Sequence, residues 1–125
     1  MSYALSFKDL EAYKLAREIS FEIFNISKLF PAEEKYSLTD QISRSSRSIG
    51  AQIAESWGKR RYEKHFISKL TDADSEHFET QHWLEIALEC NYITKDQFQE
   101  IMNKSESLGK MINNMIQKSN QFCKP

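Results

Sequence analysis

Apolar residues recur every three to four positions over four long stretches of the chain. In the first, Ala12, Ala16, Ile19, Ile23 and Ile26 share one side of a helix. Leu38, Ile42, Ile49, Ile53 and Trp57 do so in the second, and Tyr62, Phe66, Leu70, Ala73, Leu84 and Leu88 in the third. Phe98, Ile101, Leu108, Ile112 and Met115 line the fourth. The pattern predicts helices over about 9–29, 38–58, 62–91 and 95–119. Short links between long amphipathic helices predict an all-α, antiparallel up-down four-helix bundle in one domain.

The borders carry their own signals. Ser6 and Asp9 form a capping-box variant before the first stripe. Pro31 stops that helix and pushes Phe30 toward extended backbone. Ser37, Thr39 and Asp40 can cap the second helix. Asn91 suits the end of the third, and "TKDQ", Thr94 to Gln97, opens the fourth with a capping box. The tail "QFCKP" is expected to be loose.

Two helices carry more than a core stripe. Leu10, Tyr13, Phe21 and Phe24 lie on the side of the first helix opposite the stripe, predicting a second apolar face that meets another copy of the chain. The second helix is thin, with Ser45, Ser46, Ser48, Gly50, Ala51, Ala54 and Ser56. Gly50 inside a helix costs about 1 kcal/mol relative to alanine, so close packing is expected there. Arg44, Arg47, Ala51 and Glu55 project from one side of this helix. Glu55 is too far along to touch Arg44 and is expected to meet an arginine from a neighbouring helix or subunit, which places Arg44 and Glu55 with the candidate interface.

Charge adds a second candidate. Lys59, Arg60, Arg61 and Lys64 form the densest basic run, and with Arg44 and Arg47 they make a candidate phosphate-binding set. Cations at a helix C-terminus are also favoured by the macrodipole without any ligand. The formal net charge of −1 argues against a surface that grips nucleic acid all over. Cys90 and Cys123 form no C-x-x-C pair, which suits a reducing compartment. The start "MSYALSFKDLEAYK" is not a signal peptide, and no apolar run is long enough to span a bilayer. The expectation is a cytoplasmic chain with no membrane partner.

No chemistry stands out. Three glycines are too few for a phosphate-cradling loop, and no nucleophile motif is present. Asp74-x-x-His77 and Glu79-x-x-His82 both lie on the third helix, so one chain cannot build a paired carboxylate–histidine metal site. Cys90, Trp57, Trp83, Met102, Met111 and Met115 read as packing. No cofactor, metal or small-molecule substrate is expected.

The segments "FKDLEAYKLA", "FPAEEKYSLTDQISRSSRSIGAQIAESWGKR", "ETQHWLEIALECNYIT" and "LGKMINNMI" occur in order. Together they resemble the four-helix-bundle family encoded within intervening sequences of bacterial 23S ribosomal RNA genes. The resemblance implies a cytoplasmic bundle that closes into a homopentamer around a central channel, with no established enzymatic activity. Related bundles are accessory proteins of diversity-generating retroelements, where a basic pentamer engages a reverse transcriptase and RNA. The family's second-helix arginine falls on Arg44, and its Asn-Ile-Ala-Glu-Gly falls on Gln52, Ile53, Ala54, Glu55 and Ser56, with departures at Gln52 and Ser56. Asp72, Asp74 and His77 depart from the family pattern in the third helix. Two function classes follow: an oligomeric scaffold or accessory protein for a protein partner, and an RNA-binding accessory protein using the basic set.

Overall fold

A computed structural model describes residues 4–123. Their regular structure is all helical: α1 (Glu11–Ser27), α2 (Leu38–Gly58), α3 (Glu63–Glu89), α4 (Lys95–Gln117) and a four-residue α5 (Ser119–Phe122). Each long helix packs on its two neighbours around a square, and the diagonal pairs stand apart. The stripes meet in one core, except at Tyr62, which is the exposed N-cap of α3. Ile19, Ile23, Ile42, Ile49, Ile53, Phe66, Leu70, Leu84, Leu108 and Ile112 are each less than 2% exposed. Burying one such side chain contributes about 1.5–3 kcal/mol.

Polar contacts fix the antiparallel pairings. Thr80 donates to Ser45 Oγ at 2.9 Å, joining α3 to α2. The buried serines of α2 are satisfied by their own helix, Ser56 donating to the Ile53 carbonyl at 2.6 Å. Small hydroxyls that bond backward take little space, so α3 approaches α2 closely. On α1, Glu22 and Glu18 hold Lys104 of α4 at 2.8 and 3.3 Å. The bond from Glu22 lifts the Lys104 ammonium above the ordinary lysine range.

Several borders match the sequence signals. Thr94 and Gln97 form the reciprocal capping box of α4. Asn91 stands in the left-handed region at φ 60°. Tyr92 N–H reaches back to the Ala87 carbonyl and Asn91 N–H to that of Leu88, which completes a Schellman end.

Other borders differ. The Ser6–Asp9 box caps a separate 3-10 turn, Phe7–Asp9, and not α1. Leu10 then takes an extended conformation as the N-cap of α1. An extended residue leaves the helical register, so Leu10 turns into the core at 6% exposure instead of joining the outer face. At α2 the N-cap is Ser37, as expected, but the capping side chain is that of Glu34, whose carboxylate accepts from Ser37 Oγ at 2.5 Å and from Leu38 N–H at 3.3 Å. The segment expected to be loose is ordered as far as Cys123, with Phe122 stacked on Phe66 at 5.7 Å and Ser119 donating to Glu63. Lys124 and Pro125 lie outside the described residues. Cys90, expected to be packed, is exposed at the C-cap of α3.

Candidate functional site

The outer sides of α1 and α2 enclose a groove of about 870 Å³. Its α1 wall carries Tyr13, Arg17, Phe21 and Phe24, and its α2 wall carries Arg47, Gly50, Ala51 and Ala54. Phe21 and Phe24 stack on each other at 6.2 Å and remain 64% and 41% exposed. Tyr13 is half-buried and meets the edge of Phe7 at 5.0 Å. Three of the four aromatic or apolar residues picked from the sequence therefore line one concavity, and Leu10 does not. Small residues on α2 keep the opposite wall low. A Cβ added at Gly50 would meet Ala16 and Tyr13 at 3.8 Å, an ordinary contact, so the tight packing expected at that glycine is absent.

Two guanidinium groups sit in this groove on aromatic faces. Arg17 donates to the Tyr13 hydroxyl at 2.9 Å, and Arg47 lies 5.8 Å from the centre of the Phe24 ring. Lys28 approaches Phe24 at 4.3 Å. Cation–π contacts of this kind contribute about 0.5–1 kcal/mol at exposed sites.

The structure separates the basic candidates. Arg44 is bound to Asp40 within its own helix, with Nε 3.0 and 3.1 Å from the two carboxylate oxygens. Glu55 pairs with Lys69 of α3 at 3.4 Å, so its intramolecular partner is a lysine and not the arginine expected. Fifteen residues along α2 part Arg44 from Lys59, about 22 Å. At that far end Lys59, Arg61 and Lys64 are exposed, and Arg60 stacks on the Trp57 ring at 3.5 Å. Tyr62 and His65 add an exposed ring pair at 5.4 Å. The six cations form two clusters, not one patch.

A family model described as 23S rRNA-intervening sequence protein matches residues 8–114. The chain belongs to that family. A crystal structure of a protein of unknown function from the S23 ribosomal protein family of Bacteroides thetaiotaomicron is similar, at 34% identity and a TM-score of 0.76. The match covers 84% of this chain and 97% of that one. No curated protein matches the sequence. The similarity carries fold and family, and no reaction is described for the Bacteroides protein.

In this member of the intervening-sequence family, His77 and Gln81 of α3 meet Ser105 and Gly109 of α4 in a polar seam, with Asp74 beside the histidine. His77, 3% exposed, places Nε2 at 2.7 Å from the Ser105 carbonyl, so Nε2 carries a proton and donates it across the seam. Gln81 donates to Ser105 Oγ at 3.0 Å. His77 Nδ1 faces Asp74 Oδ1 at 3.4 Å. Gly109 makes room for the ring: a Cβ there would fall 2.9 Å from His77 Cε1. Gln81, Ser105 and Gly109 were not singled out from the sequence, and a glycine four residues after a serine was the one available signal. His82 packs against Trp83 at 4.6 Å, and Glu79 accepts from the Trp83 indole at 3.0 Å. Among the described residues no three His, Cys, Asp or Glu side chains converge as metal ligands.

On the other side of α3, Asp72, Glu76 and Glu79 form an acidic row. Burial, then repulsion from Glu79 and Asp72, holds the Glu76 carboxyl above its ordinary value. No helix is long and apolar enough to cross a membrane among the described residues.

Proposed function

We propose that this chain is a non-catalytic, cytoplasmic bundle that works as a closed homo-oligomer and presents a repeated surface to a protein partner. The family resemblance gives the ring five copies. The observation that carries the reading is the groove, where Phe21 and Phe24 are exposed beside the low wall of Gly50, Ala51 and Ala54. Contiguous exposed apolar surface of this kind marks partner surfaces, and aromatic residues with arginine are the usual composition of an interface core. Sedimentation at micromolar concentration tests it. Wild-type chain is expected to sediment as a closed oligomer, and Phe21→Ser with Phe24→Ser as a folded monomer. Wild-type monomers at that concentration end the reading.

A second reading, an RNA-binding accessory role, has its own support at the turn between α2 and α3. Lys59, Arg61 and Lys64 are exposed there, beside the Arg60–Trp57 stack, and none of the three is in an ion pair among the described residues. Single-strand binding falls with salt with a slope of about −0.7 per phosphate neutralised. Filter binding with single-stranded RNA is expected to show that salt dependence and to lose it when Lys59, Arg60 and Arg61 become alanine. No retention at low ionic strength removes this reading.

A further inference from the structure

We propose that the groove of one copy receives the acidic row of α3 from the next, so that copies join head to tail with α2 nearest the ring axis. This rests on the assembly reading above and assigns both halves of its contact.

The groove is cationic. Lys14, Arg17 and Arg47 face Glu18 alone among its charged lining, and neither arginine is in an ion pair among the described residues. Arg17 sits at Tyr13 and Arg47 against Phe24, eleven residues further along α1, so the two guanidinium groups occupy separate points along the groove. A second groove cannot fill this one, because groove-to-groove pairing brings like charges together.

The α3 row is the complement. Asp72, Glu76 and Glu79 follow one another at i, i+4 and i+7, and none is in an ion pair among the described residues. Asp72 and Glu79 are seven residues apart, about 10 Å. Trp83 extends the row by one turn and is half-buried, held by Glu79 at 3.0 Å. Two unpaired cations spread along the groove thus meet a row of unpaired carboxylates, with an indole for the ring-lined groove. The charge crowding around Glu76 inside one protomer is relieved by the partner's arginines.

Ring geometry agrees. The groove lies between α1 and α2. The acidic row starts three residues after Lys69, which reaches Gln52 and Glu55 of α2. The two contact surfaces are therefore adjacent sides of a square bundle, and α2 is the edge they share. Adjacent sides meet at roughly 90°, and closed rings of four or five copies need contact faces inclined at about 90° or 72°. The shared edge points to the axis. Its charges are already neutralised within the protomer, Arg44 by Asp40 and Glu55 by Lys69, so several copies can bring it together without mutual repulsion. Ala51 and Gly58 keep that edge narrow.

Mixing full-length variants tests the pairing. Arg17→Glu with Arg47→Glu spoils the groove and leaves the row; Glu76→Lys with Glu79→Lys does the reverse. Each variant alone is expected to sediment as a monomer, with helical circular dichroism like the wild type. An equimolar mixture is expected to assemble in alternating order, because the native groove–row contact and its charge-reversed counterpart are both available. One chain with all four changes has both contacts reversed and is expected to close again. Wild-type oligomers together with a row variant that still assembles overturn the pairing and leave the assembly reading intact. Wild-type monomers overturn both. Groove variants that assemble normally but lose binding to a labelled polyuridine strand overturn the pairing in favour of nucleic acid in the groove.

Discussion

The seam between α3 and α4 and the groove between α1 and α2 use similar residue types for opposite ends. Both contain a glycine on one helix facing a ring on its neighbour. In the seam, Gly109 is indispensable to the His77 ring, since a Cβ would stand 2.9 Å from it. In the groove, Gly50 leaves 3.8 Å to Tyr13 and Ala16, which an alanine fits. The seam is closed and cross-bonded: His77 and Gln81 both reach Ser105. The groove is open, and its rings face water. Interior packing leaves no spare space, so spare space beside exposed rings is a property of a surface that another molecule completes.

The largest effects should come from breaking the seam. His77→Ala removes a buried ring and its bond to Ser105, at a cost of about 2–4 kcal/mol in urea unfolding. Gly109→Ala gains helix propensity but forces the ring to move, for a net loss of about 1–2 kcal/mol. The two changes should couple: without the ring, the alanine at 109 becomes stabilising, so the double variant costs less than the sum. Additive costs would mean that Gly109 does not serve the ring. Thr80→Val comes next. It keeps the volume but deprives Ser45 of its 2.9 Å partner, leaving a 3.5 Å contact to the Ile42 carbonyl. The expected loss is about 1 kcal/mol by urea unfolding. By contrast, Phe21→Ser in the groove should stay within about 0.5 kcal/mol for the protomer, because that ring is already largely in water.

This contrast also explains what the sequence conveyed. Periodicity located the helices, because core positions such as Ile42, Ile49 and Ile53 are apolar at helical spacing. Caps were legible where a side chain serves its own helix, as at Thr94, and misleading where a turn intervenes, as at Ser6. Leu10 was misplaced because a helical wheel assumes helical backbone, and Leu10 is extended. The groove rings Tyr13, Phe21 and Phe24 were legible as apolar residues off the stripe. The seam was not. Ser105, Gln81 and Gly109 look like surface residues in sequence, and their places in the seam follow from partners 24 to 32 residues away. Glu55 was legible as pairing with a cation from a neighbouring helix, but that the cation is Lys69 and not an arginine follows from how α3 lies against α2.

The glycine comparison gives a smaller prediction of opposite sign. Gly50→Ala should stabilise the protomer by about 0.5–1 kcal/mol, since it removes backbone freedom from the unfolded chain and meets only ordinary contacts. Thermal unfolding under conditions that keep the protein monomeric checks this. If Gly50→Ala destabilises the protomer as Gly109→Ala does, the two glycines are equivalent and the distinction between closed seam and open groove fails at that point.

The smallest effect concerns one of the contacts that tie the two regions together, at the ends of their helices. Tyr92, just after α3, donates to Glu34, just before α2, at 2.8 Å. Bonds from Ser37, Tyr92 and Leu38 hold the Glu34 carboxyl below its ordinary value. The same pairing, first through its hydrogen bond to Glu34, pushes the Tyr92 hydroxyl up to about 12. The signs follow from linkage. A depressed carboxyl stabilises the fold above its unfolded value and loses that as pH falls through the folded one. A raised phenol stabilises below about 10 and loses that as pH rises through about 12. One tyrosine of the five should therefore ionise late in an ultraviolet titration of the folded protein. In Glu34→Gln it should return toward its ordinary value, and the acid-side loss of stability from this contact should vanish. Both groups are near the surface, so the shift in titration is the sensitive readout and the change in melting is slight. A tyrosine titration that Glu34→Gln leaves unchanged would mean that the groove half and the seam half of the bundle are not joined through this pair.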